Sequence, residues 1–558
     1  MIKIYNTLTK KKEKFIPINE GQVNIYICGP TVYNYIHLGN ARPIVVFDTV
    51  RRYFIHHGYQ VKYIQNFTDV DDKIINRASE EGIEPLELSK KYIEEYFKDA
   101  DNLNIIRADY YPTVSEHIQD IIEFIQSLIG KGYAYESGGD VYFKVRKFRE
   151  YGKLSGRTLD DMLVGVRVEL NENKDDPLDF ALWKRAKPSE LSWDSPWGGG
   201  RPGWHIECSV MSCKYLQNID IHGGGHDLIF PHHENEIAQS EAALGRPFAR
   251  YWMHNGFITV NKEKMSKSLG NFFLVRDILK EFSPEVVRFY LLSTHYRSPL
   301  DFDDEKLQSV STGLKRIENC WYMIDEYLDG SNAYENATVV NVDHSELSTI
   351  PKLASAKEKF EQAMDDDFNT ALAISVWFDL VREVNTLLKN LDMGNKNSGI
   401  KELAAYKSLF LMFNRVLGVF KIDETTGKIK LRKKASSTIS AAINIKNPLM
   451  DGLIEMVVKL RQQARENKEW DTSDRIRDIL KDLGITLEDT RQDTKWSADY
   501  EKLHDSDIIN KLLQILIDLR QEARKNKEWN TADDIRERLK KLGVTLEDTP
   551  DGVRWKVL

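Results

Sequence analysis

Four side chains in this sequence have the chemistry to hold a soft divalent cation: Cys28, Cys208, His232 and Glu236. His232 and Glu236 stand four apart in Phe230-Pro231-His232-His233-Glu234-Asn235-Glu236. Pro231 is a good first helical residue, so the spacing predicts both side chains on one helix face. Cys28 ends a predicted strand, and Cys208 closes Gly203-Trp204-His205-Ile206-Glu207-Cys208. Two thiolates, an imidazole and a carboxylate suit zinc. Spacing alone leaves a second reading open, in which the cysteines are small buried hydrophobes and the His-Glu pair is a polar helix face. Cys213 and Cys320 are assigned to packing. Two further stretches could serve a nucleotide triphosphate. His37-Leu38-Gly39-Asn40 follows an apolar strand-like run and opens a helix-like one; Lys264-Met265-Ser266-Lys267-Ser268 follows Gly256-Phe257-Ile258-Thr259-Val260. Phosphates need a helix N-terminus with a close-approach glycine, and mobile cations aimed at developing negative charge. Without each other, His37 reads as a cap or core residue and the paired lysines as a solvated loop.

The elements that must position these groups are legible in part. Val23 to Ile27 reads as a buried strand, Ala41 to His57 as a helix with Gly58 at its C-cap, and Val61 to Ile64 as the next strand. That is a βαβ unit whose turn carries His37 to Asn40. The fold class expected is α/β. A Rossmann-type parallel-sheet domain (residues 1–110 and 201–256) is split by an insertion (111–200). It is followed by the lysine-bearing region (257–310), an α-helical bundle (311–445) and a duplicated small α+β module (450–500 and 510–558). Segments 329–350 and 422–449 are weakly patterned and read as loops; the basic residues Lys428, Lys430, Arg432, Lys433 and Lys434 in the second read first as a solvated loop, and second as an RNA-backbone contact.

The duplication is plain. Leu460 to Trp470 returns as Leu519 to Trp529, and the offset of 59 residues holds without a gap from Leu453–Trp496 to Leu512–Trp555. Each copy reads as helix, loop, helix and two short strands. Asp471 and Asn530 are the expected N-caps, with Asp474 and Asp533 three residues on, and Gly484 and Gly543 the expected C-caps. Net charge is −8, which argues against blanket nucleic-acid affinity but not against a local basic face. Four cysteines are poor material for a disulfide scaffold. No run is apolar enough to cross a bilayer, and the N-terminus lacks the apolar core of a signal peptide. A cytoplasmic protein with no membrane partner is the simplest reading.

The pairing of HLGN with KMSKS resembles the two signatures of class I aminoacyl-tRNA synthetases. Cys28, HLGN, Gly203 to Cys208, His222-Gly223-Gly224-Gly225, Phe230 to Glu236 and KMSKS follow the order and approximate spacing of cysteinyl-tRNA synthetases. Asp366-Asp367-Phe368-Asn369-Thr370 and the Trp-containing repeat with its Leu487-Glu488-Asp489-Thr490 tail are similar to that family too. The resemblance covers most of residues 20–310 and parts of 350–555. It implies one zinc ion per chain, held by Cys28, Cys208, His232 and Glu236, which takes the substrate cysteine's thiolate as a ligand. It implies ATP, with Mg2+, contacted by His37, Gly39 and Asn40, its pyrophosphate stabilised by Lys264 and Lys267. HLGN departs from His-Ile-Gly-His at its second and fourth places, though Asn40 can still donate through its amide. Gly223, Gly224 and Gly225 with Asp227 would wall the adenosine; Thr68, Trp204 and His222 would line the amino-acid pocket. The implied activity is ligation of L-cysteine to tRNA(Cys) through cysteinyl-adenylate, by a monomer.

A zinc ion answers a physical difficulty. Serine differs from cysteine by oxygen for sulfur, and pocket shape discriminates by only roughly 10–200-fold even for a methylene. In the module, Arg465, Trp470 and Asp474 are the candidates for tRNA contact in copy one, Arg524, Trp529 and Asp533 in copy two. Copy one is favoured, being nearer the bundle, while each Trp is expected first to pack its own copy's small core. Two rivals compete: a ligase joining cysteine to a small amine, as in mycothiol-type synthesis, and a non-catalytic RNA-binding relative. The repeats argue against the former, the intact His37, lysines and metal set against the latter.

Overall fold

The structure, a computed structural model, describes residues 1–165, 173–188, 190–260, 263–264, 273–329, 350–392, 396–423, 425–430, 448–467, 469–483, 485–489, 494–498, 505–549 and 552–557. It divides into two units, Met1–Lys430 and Leu431–Leu558.

The first unit is built on four parallel strands: β1 (Gln22–Ile27), β2 (Gln60–Gln65), β3 (Ile219–Gly225) and β4 (Ala249–Asn255), in the order β4-β3-β1-β2. Side chains alternate between two covered faces. Val23, Ile25 and Ile27 pack in the cluster that holds Phe47 and Val50 of helix α1 (Leu38–His56). Tyr26 points to the other cluster, with Cys208 of α2 (Trp204–Tyr215) and Ile237 of α3 (Glu234–Leu244). Burial on both faces is why these strands read as near-continuous apolar runs. Chain order reverses between β1 and β3, and the carboxyl ends of those strands open the crevice in which ligands of such sheets bind.

α1 starts three residues before the apolar periodicity announces it. His37 is its N-cap: Nδ1 accepts from Asn40 N–H, and Asn40 Oδ1 accepts from His37 N–H. This reciprocal box is invisible to a hydrophobic pattern. At the far end His57 is the C-cap and Gly58, at φ +81°, stands one place beyond.

The insertion folds as a helix (Ile118–Gly130) on an antiparallel sheet of Ala134–Ser137, Asp140–Phe143, Phe180–Arg185 and Gly200–Pro202, with its own core around Val141, Phe143, Leu182 and Trp183. After β4, Ile258–Val260, Glu263–Lys264 and Leu300–Phe302 form a three-stranded sheet. Four long helices follow, Asp304–Asp329, Pro351–Asp365, Thr370–Asp392 and Lys396–Leu417, around Trp321, Phe360, Trp377 and Phe413. The three- and four-residue spacing predicted this bundle. Asp367 locks its second corner to the N-terminal strand and to the segment before the bundle. Fully buried and at φ +65°, it accepts from Tyr5 N–H, Tyr296 OH and Arg297 Nε. Of the expected loop segments, residues 330–349 and 431–447 lie outside the described residues, including Arg432, Lys433 and Lys434.

The second unit contains both copies of the repeat: α4 (Pro448–Glu466) and α5 (Trp470–Asp482), then α6 (Asp505–Lys525) and α7 (Trp529–Lys541), each pair followed by an antiparallel strand pair. Four expectations are corrected here. The copies are not separate small domains. Leu453 and Val457 of α4, Leu512 and Leu516 of α6, and Ile476, Leu480, Ile535 and Leu539 belong to one core. Gly452 admits Leu542 of the other copy, where a Cβ would come within 2.6 Å of it, and Arg475 pairs with Glu522 at 2.9 Å. The N-caps are Glu469 and Glu528, not Asp471 and Asn530, and neither side chain caps its helix. Glu469 N–H and Glu528 N–H close instead on Ala464 O and Ala523 O, so the helices begin at the tryptophans, before the acidic pattern starts. The tryptophans themselves are outside the core: Trp470 is 58% and Trp529 57% exposed. Aliphatic residues of both copies already fill the interior. Leu542, not Gly543, is the C-cap of α7; Gly543, at φ +81°, follows it, and Gly484 lies outside the described residues.

Candidate active site and metal centre

The crevice at the switch point is a cavity of about 370 Å³. Its wall includes Cys28, Cys208, His232, Thr68 and Trp204 at one end, and His37, Gly39, Asn40, Gly225, Asp227 and Phe257 at the other. Residues far apart in sequence meet here because β1, β3, α1 and α2 all deliver an end to it.

Four elements bring the metal candidates together. Cys28 follows β1, its N–H bonded to Gly223 O of β3 at 3.2 Å. Cys208 stands one turn into α2. His232 sits in an irregular turn, residues 229–233, in which Phe230 is extended and the Phe230–Pro231 peptide is cis. Contrary to expectation, Pro231 does not open α3, and Glu236 lies in the first turn of a helix that begins at Glu234. The turn still delivers His232 Nε2 to 3.0 Å from Glu236 Oε1. Cys28 Sγ is 3.5 Å from Cys208 Sγ and 3.3 Å from Glu236 Oε1, and the four ligand atoms lie within 4.8 Å of one another. Zinc bond lengths put the edges of a tetrahedron at about 3.3–3.8 Å, so the donor set fits the ion.

The charges point the same way. Donation from Cys28 pulls the Cys208 thiol down, to about 6, while burial and neighbouring negative charge push Cys28 well up. Burial disfavours the Glu236 carboxylate, but His222 and His232 outweigh it and hold its pKa well below the usual value. Against its own burial, His232 is lifted to about 10, chiefly by Glu236. Two anionic donors, Cys208 and Glu236, thus share a dry cluster with one imidazolium, and a divalent cation would take the place of the His232 proton. Outer residues orient the donors. His205 Nδ1 lies 3.0 Å from His232 Nδ1, which turns Nε2 toward the cluster; burial and the nearby His232 charge lower His205 to about 3, so it stays neutral. Trp204 stacks on the His232 ring at 4.3 Å. Cys213 and Cys320 pack with apolar neighbours, and burial raises both thiols.

The other candidates fall into place unevenly. Thr68 lines the cavity, and its Oγ1 donates to Glu207 Oε2 at 3.0 Å. Trp204 lines it too, 40% exposed. His222 is not on the wall. It is fully buried behind the metal candidates, 3.2 Å from Glu236 Oε2 and stacked on Tyr26. Gly223 and Gly224 lie within β3 rather than in a turn; a Cβ on Gly223 would fall 2.3 Å from the Phe47 ring, so it serves close packing of α1 on the sheet. Of the glycine triplet, Gly225 reaches the cavity.

The HLGN turn is joined to the segments on either side of the lysine-bearing stretch. Leu38 N–H bonds Phe273 O and Val275 N–H bonds Ile36 O, so the HLGN turn is stitched to the segment just after the KMSKS stretch. Arg42, fully buried on α1, donates to the carbonyls of Gly256, Phe257, His295 and Ser298, the first two just before that stretch. One helix turn thus holds both ends of the lysine-bearing segment. Lys264 pairs opposite Thr259 in a short antiparallel strand; Met265 to Ser268, with Lys267, lie outside the described residues. The N–H groups of Leu38 and Asn40 are thus already bonded at this helix start. Arg42→Met should leave buried carbonyls unmatched, at about 1.5–3 kcal/mol for a charged hydrogen bond. We expect a lower melting temperature, read from a thermal unfolding curve beside wild type.

Sequence reasoning missed Lys73 and Gly29. Lys73 brings a cation to the wall, over the Tyr33 ring at 5.7 Å, and nothing in its surroundings in sequence marks it. Gly29 is needed because a Cβ there would lie 1.7 Å from Asn66 O. A glycine straight after a strand-end cysteine was the available signal. Among the described residues, no helix is long and apolar enough to cross a membrane.

Comparison with known proteins gives concordant matches. The tRNA synthetases class I (C) catalytic domain family matches residues 14–312, the DALR domain family residues 359–421, and the cysteinyl-tRNA ligase anticodon binding domain family residues 510–555. A cysteine–tRNA ligase of Desulforamulus reducens is 59% identical over 496 residues, 89% of this chain and 99% of the relative. That of Clostridioides difficile is 52% identical over 496 residues, with the same coverage. In three dimensions the chain is similar to Mycobacterium tuberculosis methionyl-tRNA synthetase bound by methionyl-adenylate, at 13% identity, TM-score 0.53, 71% of this chain and 92% of that one. It is also similar to the LeuRS of a ternary complex from Agrobacterium radiobacter K84, at 13% identity, TM-score 0.52, 73% and 85%. These two share the fold. About a tenth of the chain, the size of one repeat copy, is left outside the match to the ligases.

Proposed function

The chain belongs to the cysteine–tRNA ligases, of the class I aminoacyl-tRNA synthetases, and from that premise we propose how its own residues carry the reaction. It is an ATP-dependent enzyme that charges tRNA with cysteine. The observation that carries the residue-level reading is the buried Cys28, Cys208, His232 and Glu236 cluster opening on the same cavity as His37 and Asn40. These four residues would hold one zinc ion. When bound, zinc lowers a thiol's pKa and bonds thiolate far better than a hydroxyl, which separates cysteine from serine.

The protein's own groups then divide the work. Trp204 and Thr68 line the end of the cavity for the amino acid. His37, Gly39, Asn40, Gly225 and Asp227 face the nucleotide, which would enter with Mg2+. A carboxylate oxygen of cysteine attacks the α-phosphorus of ATP; the bond to the bridging oxygen breaks, pyrophosphate leaves, and cysteinyl-adenylate remains. A hydroxyl of the tRNA's terminal ribose then attacks the acyl carbon and AMP leaves. Rate comes from orientation and from cations meeting charge as it develops, the task of Lys264 and Lys267. Removal of one such donor typically costs about 10²–10³ in kcat. Lys264→Ala and Lys267→Ala should each show that loss in cysteine-dependent pyrophosphate exchange with binding of cysteine little changed. A wild-type protein that exchanges pyrophosphate but charges no tRNA would point instead to a small-amine ligase. A cytoplasmic, monomeric enzyme fits this reading.

A further inference from the structure

The stretch that carries two of the metal candidates is gripped from behind by the insertion. We propose that the insertion's loop of residues 151–157 is a positioning element for the metal centre, and that Glu234 is the residue through which it chiefly acts, holding His232 and Glu236 in place to receive the ion. This rests on the zinc reading given above.

Glu234 stands midway between His232 and Glu236 in sequence, at the start of α3. At about 100° per residue, helix positions two apart point to opposite sides. Glu236 faces the donor cluster, so Glu234 faces away from it and meets the insertion. Its carboxylate accepts Ser155 N–H at 2.8 Å and Leu154 N–H at 3.3 Å, and it is fully buried. Charge-assisted bonds to two backbone donors are strong, and a buried carboxylate needs them. The grip runs along the whole stretch. Arg157 lies over the Phe230 ring at 4.5 Å. Tyr151 OH donates to Asn235 Oδ1, and Lys153 pairs with Glu241 farther along α3. Leu154 packs in the cluster that holds Cys208 and Ile237. The loop is itself stiff: Gly156 N–H bonds Gly152 O at 2.7 Å, and a Cβ on Gly152, at φ +98°, would fall 2.1 Å from Arg157 O. The turn that carries His232 needs such a hold. Phe230 within it is extended, so no regular helical ladder runs through residues 229–233 to fix His232. Groups that orient metal donors are typically worth about 10–100-fold in metal affinity.

The test challenges the zinc-loaded full chain with graded concentrations of a chromophoric chelator and reads the zinc retained, beside a melting curve. Glu234→Gln keeps the size of the side chain but sets an amide –NH2 against a backbone N–H. Its zinc affinity should fall about 10–100-fold. Tyr151→Phe removes one neutral hydrogen bond and should weaken zinc binding about two- to fivefold. Excess zinc should restore cysteine-dependent pyrophosphate exchange in both variants, since the lost quantity is occupancy. A purely structural role would lower the melting temperature and leave zinc affinity at the wild-type value, and that result overturns the proposal. If Glu234→Gln does not fold, Tyr151→Phe decides in the same way: weakened zinc binding supports the positioning role, and wild-type affinity overturns it. A wild-type protein that binds no zinc defeats the metal reading itself, whereas zinc held equally by wild type and variants defeats this inference alone.

Discussion

Cys208→Ser is expected to abolish the metal content of the purified protein and to lower kcat/KM for cysteine in pyrophosphate exchange by well over about 100-fold, more than the 10–100-fold typical of losing an outer-shell partner. Its effect on serine should be far smaller, so that discrimination between the two amino acids falls toward the level that pocket shape alone supplies, roughly 10–200-fold. The reasoning starts from burial. Cys208 is 2% exposed and accepts a hydrogen bond from the Cys28 thiol at 3.5 Å. A hydroxyl in its place is a hard, poorly ionising donor, and the exchange takes one anionic donor out of the cluster. Stability should change less than activity, because serine is nearly isosteric. Elemental analysis, a melting curve and exchange kinetics with both amino acids separate these effects. Retained metal with normal selectivity would remove Cys208 from the ligand set.

Asp48→Ala is the substitution expected to cost most in stability. Asp48 on α1 is 2% exposed and receives Arg52 Nε at 2.7 Å, Arg288 Nη2 and Ile106 N–H at 2.9 Å. Arg288 is fully buried and also donates to Leu417 O and Leu103 O, tying the catalytic helix to the end of the bundle. Removal of one member of a buried ion pair costs about 3–5 kcal/mol, because the partner charge stays buried. The pH dependence has a definite sign. Burial raises the Asp48 pKa, but Arg52 and Arg288 outweigh it and hold it below its ordinary value. A depressed carboxyl stabilises the fold above its unfolded pKa, about 3.9, and that stabilisation disappears as pH falls through the folded value. The gap in melting temperature between wild type and Asp48→Ala should be widest near neutrality and close below about pH 4. A gap that does not vary with pH would mean the loss is one of packing.

Much of this was legible before any coordinates, for identifiable reasons. β1, α1 and β2 follow from apolar periodicity because both sheet faces are covered. Residue type nominated Cys28, Cys208, His232 and Glu236 as one candidate donor set, with plain burial as the other reading, and the family resemblance favoured the first; the structure brings the four together. What sequence hid was geometry with no periodic signature. The reciprocal cap of His37 and Asn40 extends α1 beyond its apolar stripe. The turn at Phe230 and Pro231 replaces the expected helix start, yet reaches the same side-chain meeting. His222 belongs behind the metal candidates rather than on the cavity wall, a choice of strand face at a strand's end that a one-dimensional pattern does not encode. Trp470 and Trp529 were expected inside because tryptophan usually is; the shared aliphatic core shut them out. That sharing also changes how the copies are to be dissected, since truncation after residue 505 would strip Leu512, Leu513 and Leu516 from the core of copy one.

The most direct test is zinc-edge X-ray absorption on the purified wild-type protein, with metal stoichiometry measured on the same sample. One zinc per chain, with an inner shell of two sulfurs plus nitrogen and oxygen, is the predicted result. A fully active protein without metal, or a metal whose shell contains no sulfur, would contradict the account.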